Sequence, residues 1–98
     1  MLREKSPLFS PIKLGNVVIP NRFMRSATCE RRADENGLPT PELFKIIKNL
    51  AFGEVGLIVP GFFYINEQSR SSIGQSGMFS NKHSQAWKST IEQIHNET

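Results

Sequence analysis

The run Val55-Gly56-Leu57-Ile58-Val59, set directly behind a glycine-terminated helical stretch, constrains the fold more than any other feature. A continuous apolar strand suits burial on both faces, as in a parallel sheet rather than a half-solvated antiparallel one. The chain around it alternates strand-like with helix-like runs. That order implies βαβ units and an α/β architecture. In 98 residues there is room for one domain of ordinary size. Only two such parallel strands can be found. Two strands cannot cover both of their own faces, and each keeps an open edge. The sequence therefore reads as the beginning of something larger.

Four elements flank this run. Pro11-Ile12-Lys13-Leu14, Gly15-Asn16 and Val17-Val18-Ile19 spell a β-hairpin whose Gly-Asn turn supplies positive φ angles, and Pro20 stops its ladder. Arg22 to Thr28 is a short second run ending in small residues, followed by a polar loop from Glu30 to Gly37. Thr40 as cap, Pro41 in the first turn and Glu42 at the positive end of the dipole open helix one. Leu43, Phe44, Ile46, Ile47, Leu50 and Ala51 give it one apolar face, and Gly53 or Gly56 ends it. After Pro60-Gly61 and Phe62 to Ile65 comes a long Ser-, Gly- and Gln-rich loop, Asn66 to Phe79. Its length marks it as functional or disordered. Helix two starts from Ser80, with Ala86, Trp87, Thr90, Ile91 and Ile94 on one side.

Composition excludes several classes. Hydrophobic residues at 38% and charged residues at 21% argue against disorder. No apolar run reaches the roughly 20 residues of a membrane span, and Met1 to Lys5 lacks a leader's apolar core. The single cysteine, Cys29, forbids an internal disulfide and an all-cysteine zinc site, and a reducing, cytoplasmic setting is the simplest reading. Net charge is +3, with its densest basic stretch at Arg22, Arg25, Arg31 and Arg32. A solvated face is favoured there over a phosphate or nucleic-acid patch, because aromatics do not interleave with the bases as stacking platforms would. His83 and His95 stand twelve residues apart on helix two, which is no metal spacing, and read as surface or helix-end residues. Tyr64 reads as a packing residue. No Gly-x-Gly-x-x-Gly or Walker loop supports nucleotide binding by those routes.

Several motifs in order carry a specific resemblance. Leu8 to Asn16, Asn21-Arg22-Phe23, Ser26-Ala27-Thr28, Gly37-Leu38-Pro39-Thr40, Gly53 to Val59, Arg70 and Gly77 to Asn81 with His95 resemble the opening of the Old Yellow Enzyme family. These are FMN-binding NADH:flavin oxidoreductases, and the likeness runs from Pro7 to Asn96. It implies the N-terminal part of a (β/α)8 TIM barrel, an incomplete one. In it, residues 7–22 form a hairpin floor and residues 23–98 form two βα units, with Phe23 to Ala27 and Val55 to Val59 as strands. A complete barrel takes about 250 residues. By the resemblance Ser26, Ala27, Thr28, Cys29 and Gly61 face the flavin. Small side chains there let backbone N–H groups approach the ring, and a hydroxyl or thiol can tune it. Taken alone, the same residues merely close a strand compactly, Gly61 turns the chain after Pro60, and Cys29 is a buried inert thiol.

The family's substrate-binding histidine pair, its proton-donating tyrosine and its FMN-phosphate loops belong to later strands, so no catalytic residue is assigned here. The reading is of an N-terminal piece or truncated relative of an FMN-dependent NAD(P)H oxidoreductase of the ene-reductase type, carrying one wall of the flavin site. In the full-length family, NAD(P)H and an activated alkene are the partners. The alternatives are a non-catalytic, self-associating remnant without flavin and, ranked last, a small basic binding module. Leu57, Ile58 and Val59, with Phe23 and Met24, expect neighbours that the chain does not supply. Homo-oligomerisation through strand edges and the helix-one face of Phe44, Ile47 and Leu50 is the expected remedy.

Overall fold

The structure is a computed structural model and describes residues 5–98; the start of the chain, where no leader is read, lies outside them up to Glu4. The architecture is α/β. In chain order it has β1 (Ile12–Leu14), β2 (Val17–Ile19), β3 (Met24–Arg25), α1 (Pro41–Phe52), β4 (Leu57–Ile58) and α2 (Asn81–Glu97), with single 3-10 turns at Pro7–Phe9 and Glu67–Ser69. The hairpin pairs Ile12 with Ile19, Lys13 with Val18 and Leu14 with Val17. Its turn takes a positive φ at Gly15, 62°, but not at Asn16. One left-handed residue at the first central position is the pattern of a type II′ turn, so the expectation of two is corrected.

β3 and β4 pair in parallel, Met24 beside Leu57 and Arg25 beside Ile58, as a separate two-stranded sheet. Both are shorter than expected from the sequence. The ladder still reaches one residue beyond each end of β3–β4, through Leu57 N–H to Phe23 O at 3.2 Å and Val59 N–H to Arg25 O at 3.0 Å. Among the described residues the sheet has these two strands alone, pairing stops before Ser26 and Pro60, and no closed barrel forms.

Capping explains why the helices are the longest elements. Thr40 Oγ1 accepts from Leu43 N–H, Ser80 Oγ accepts from His83 N–H, and Pro41 sits in the first turn of α1. α1 ends at Gly53, but the left-handed residue is Glu54, φ 66°, not a glycine. The two helices pack their apolar faces together. Leu43 and Ile47 of α1 meet Trp87 and Ile94 of α2, flanked by Phe44, Ala51, Ile58, Phe63 and Ile91. Phe63 stands edge-on to Trp87 at 5.1 Å between centroids. On the surface, Lys48 Nζ lies 2.6 Å from Glu97 Oε1 and holds that carboxyl below the usual value of 4.5. A depressed carboxylate stabilises above its unfolded pKa and stops doing so as pH falls through the folded one, so this tie between the helices weakens in acid.

Asn21 joins the parts. Only 7% exposed, it accepts at Oδ1 from Phe23 N–H (3.1 Å) and Gly56 N–H (3.0 Å), and donates through Nδ2 to Glu54 O (2.7 Å). One side chain thus fastens the entry to β3 onto the turn that leads into β4. Gly56 is obligatory beside it, since a Cβ there would come within 2.5 Å of Oδ1. Arg22 fastens the other side, donating to Ser10 O and Pro11 O at 3.1 and 3.0 Å.

Each buried hydrogen bond contributes about 0.5–1.5 kcal/mol net, and stranded partners add to the loss. Asn21→Ala is therefore expected to lower unfolding free energy by about 2–4 kcal/mol. Leu43→Ala, at 2% exposure in the helix interface, should lose a similar 2–5 kcal/mol. Urea unfolding followed by Trp87 fluorescence checks both; an Asn21→Ala change under 0.5 kcal/mol would contradict the joining role.

Candidate functional site

Because β3 and β4 run parallel, the loops that follow them leave from the same end. This end carries function in parallel α/β folds. The first loop spans residues 26–40 and the second 59–80. Where they leave the strands, Thr28 and Gly61 are neighbours: a Cβ on Gly61 would stand 3.3 Å from Thr28 O. Thr28, Cys29, Pro60 and Gly61 line one small cleft of about 10 Å³. The structure thus brings together three of the five residues singled out from sequence. Ser26 and Ala27 lie beside them, exposed, and do not line the cleft.

What these residues can donate is narrower than expected. Thr28 Oγ1–H is spent on Ser26 O at 3.1 Å, while the same oxygen accepts from Arg25 Nε at 3.3 Å. Arg25 also pairs with Glu30. The hydroxyl is a fastener of the loop, which leaves the Cys29 thiol and the backbone. Among the described residues nothing accepts from the N–H of Ala27, Thr28 or Cys29. Cys29 is a free, half-buried thiol. A flat rim of small side chains with unpaired N–H groups suits the polar edge of a planar heterocycle.

A larger cavity of about 560 Å³ lies elsewhere, between Tyr64, Arg70, Phe79 and His83. None of the five residues lines it. Around it the two loops are tied to each other. Ala33 N–H donates to Gly74 O (3.0 Å) and Gly77 N–H to Gly37 O (2.9 Å). Arg70 Nη1 donates to Glu35 O at 2.8 Å. Tyr64, buried as expected of a packing residue, presses on Gly37 and Gly77, where a Cβ would collide with its ring. The 66–79 loop, read from sequence as functional or disordered, is thus fixed in place.

His83 is the main correction. It stands in the first turn of α2, as the helix-end reading has it, but is only 5% exposed and not on the surface, while His95 is exposed. Its Nε2 stands 2.7 Å from Asn36 O and its Nδ1 2.7 Å from Ser80 Oγ. A carbonyl can only accept, so Nε2 donates to Asn36 O, while Nδ1 and Ser80 Oγ share the second bond. The imidazole so ties the first loop to the start of α2, under the Phe79 ring at 4.5 Å. A signal for it was present in sequence, a histidine three residues after a serine cap. The basic stretch is mostly occupied as well: Arg22 and Arg25 as above, and Arg32 against Glu42 at 3.5 Å.

Residues 7–98 match the model of the NADH:flavin oxidoreductase / NADH oxidase family. The chain belongs to that family. It is 30% identical over 88 residues to an NADPH dehydrogenase of Bacillus subtilis, covering 89% of this chain and 26% of that protein. It is 24% identical over 90 residues to a probable flavin mononucleotide-dependent alkene reductase of Leishmania infantum, covering 92% and 24%. Its fold superposes on an Old Yellow Enzyme from Pichia sp. with a TM-score of 0.85 at 22% identity, covering 94% of this chain and 24% of that one. The chain spans about a quarter of the length of these relatives. FMN is the cofactor of the family as a whole. No helix among the described residues is long and apolar enough to cross a membrane.

If His83 holds the first loop, His83→Leu should leave the helices intact by circular dichroism. It should speed amide exchange or proteolysis at residues 34–38 at least tenfold, a factor of ten in opening being about 1.4 kcal/mol. Unchanged protection there would refute the tie.

Proposed function

We propose that this chain forms the N-terminal segment of an FMN-dependent NAD(P)H oxidoreductase of the ene-reductase type. In this reading residues 7–22 are the floor hairpin and residues 23–98 the first two βα units of a (β/α)8 barrel. The observation that carries it is the family match over residues 7–98, together with the meeting of Thr28, Cys29 and Gly61 at the shared end of two parallel strands. Ser26, Ala27, Thr28, Cys29 and Gly61 are then one wall of the flavin site. Bound there, the flavin would accept a hydride from the nicotinamide and pass one to an activated alkene.

The chain's own residues position rather than react. Ala27, Thr28 and Cys29 offer N–H donors to the ring's polar edge. Gly61 keeps the second loop close to the first, and the Arg25–Thr28–Ser26 bonds hold the rim in shape. Without the later strands, substrate positioning is lost, and positioning alone is worth about 7–11 kcal/mol of barrier. NADPH oxidation by the 98-residue chain with an enone should not exceed that of free FMN.

Protection of Cys29 tests the wall itself. Alkylation of Cys29 should slow at least twofold in excess FMN, and to the same extent in riboflavin at equal concentration, since this wall meets the ring and not the phosphate. Equal rates with and without flavin would overturn the assignment.

A further inference from the structure

We propose that Gln75 is the positioning residue of the wall formed by Thr28, Cys29 and Gly61. From the far end of the second loop it reaches back and holds the Gly61–Phe62 backbone in place beside the first loop. This rests on the flavin reading of that wall and adds what fixes its second half.

The segment that carries Gly61 has little of its own to hold it. Ladder pairing ends with Val59 N–H on Arg25 O, and the next backbone bond along the chain is Tyr64 N–H to Ser76 O at 3.0 Å. Between them Pro60 has no N–H, Gly61 has no side chain to pack, and Phe62 is half exposed. Among the described residues the one hydrogen bond made by residues 60–63 is Phe62 O accepting from Gln75 Nε2 at 3.2 Å. Phe62 lines the same cleft as Thr28, Cys29 and Gly61.

Gln75 is built to hold that carbonyl. It is only 4% exposed, and a buried amide costs free energy unless its polar atoms are bonded. Its Oε1 accepts from Ser71 N–H at 2.7 Å and from Ser71 Oγ–H at 2.9 Å. A backbone N–H can only donate and a carbonyl can only accept, so these partners fix which end of the amide faces Phe62. Bracing the 71–75 turn alone would need the Oε1 end only. The Nε2 end leaves that turn and is spent on the wall.

The residue before it is fastened to the other half of the wall. Gly74 lies against the first loop, where a Cβ would come within 2.6 Å of Arg31 O, and Gly74 O accepts from Ala33 N–H at 3.0 Å. Gly74 thus takes its position from the loop that carries Thr28 and Cys29, and Gln75 passes it to Phe62. All of these contacts are made within residues 28–76.

The test follows Cys29 alkylation against riboflavin concentration in the 98-residue chain. Gln75→Met keeps the shape and removes all three bonds. It should raise the riboflavin concentration that halves the rate at least fivefold, which corresponds to about 1 kcal/mol, the net worth of one hydrogen bond. Helical circular dichroism and slow exchange of the Gly77 and Met78 amides, which bond Gly37 O and Tyr64 O, should be kept. Gln68→Met, the same change on an exposed glutamine of the same loop, should alter nothing. If Gln75→Met loses the helical signal, Ser71→Ala decides, since it removes one of the bonds orienting the amide at an exposed residue; at least a twofold rise is expected. Riboflavin protection that survives Gln75→Met would overturn the role of Gln75 and leave the wall standing. Loss of protection together with fast exchange at Gly77 and Met78 would also overturn it, because Gln75 would then hold the whole loop and not the wall. Riboflavin that fails to protect Cys29 in the unaltered chain would overturn the wall itself, and this role with it.

Discussion

The register of β3 against β4 rests on the carboxamide of Asn21. A two-stranded parallel sheet has little of its own to fix it: the strands are two residues each, and parallel pairing gains less per residue than antiparallel. The amide supplies the missing constraint because it donates and accepts at once. It takes the N–H groups that open both strands and returns a donor to Glu54 O, the carbonyl of the left-handed residue after α1. An aspartate could accept but not donate, and would face that carbonyl with a charge. Given this register, the far ends of the strands deliver Thr28 beside Gly61.

The loops beyond are held by a different device, backbone bonded to backbone across small residues. Gly37, Gly74 and Gly77 let the two loops approach to hydrogen-bond distance, with Tyr64 and His83 as the buried plugs around them. The result is a rigid support behind a rim of N–H groups that have no acceptor among the described residues. Rigidity there matters more than reactivity, since a wall that only positions a cofactor loses its purpose if it moves by an ångström. Trp87 Nε1 is buried in the helix interface with no acceptor among the described residues, a cost carried by the same core that holds α1 to α2.

What could be read in the sequence follows a physical division. Local signals were sufficient for the hairpin, for Thr40 and Ser80 as caps and for both helix faces, because those depend on residues within a few positions of one another. The role of Asn21 was not legible. Its partners Glu54 and Gly56 are more than thirty residues away, and the motif Asn21-Arg22-Phe23 signalled family without showing what the asparagine does. The burial of His83 was not legible for the same reason, as Asn36 lies 47 residues earlier. Strand lengths were overestimated because apolar composition reports what a strand is suited to, while pairing depends on which neighbours are present. The flavin-facing residues were reached through resemblance; the geometry adds that the Thr28 hydroxyl is committed to Ser26 O.

Native-state hydrogen exchange at Gly56, Leu57 and Val59 tests the central claim most directly. These three amides are the ones held by Asn21, Phe23 O and Arg25 O. If the asparagine fixes a parallel pair, they exchange together, as slowly as the α1 amides around Ile47, and Asn21→Ala releases all three while α1 stays protected. Fast exchange of the three in the unaltered chain, or their protection surviving Asn21→Ala, would contradict it.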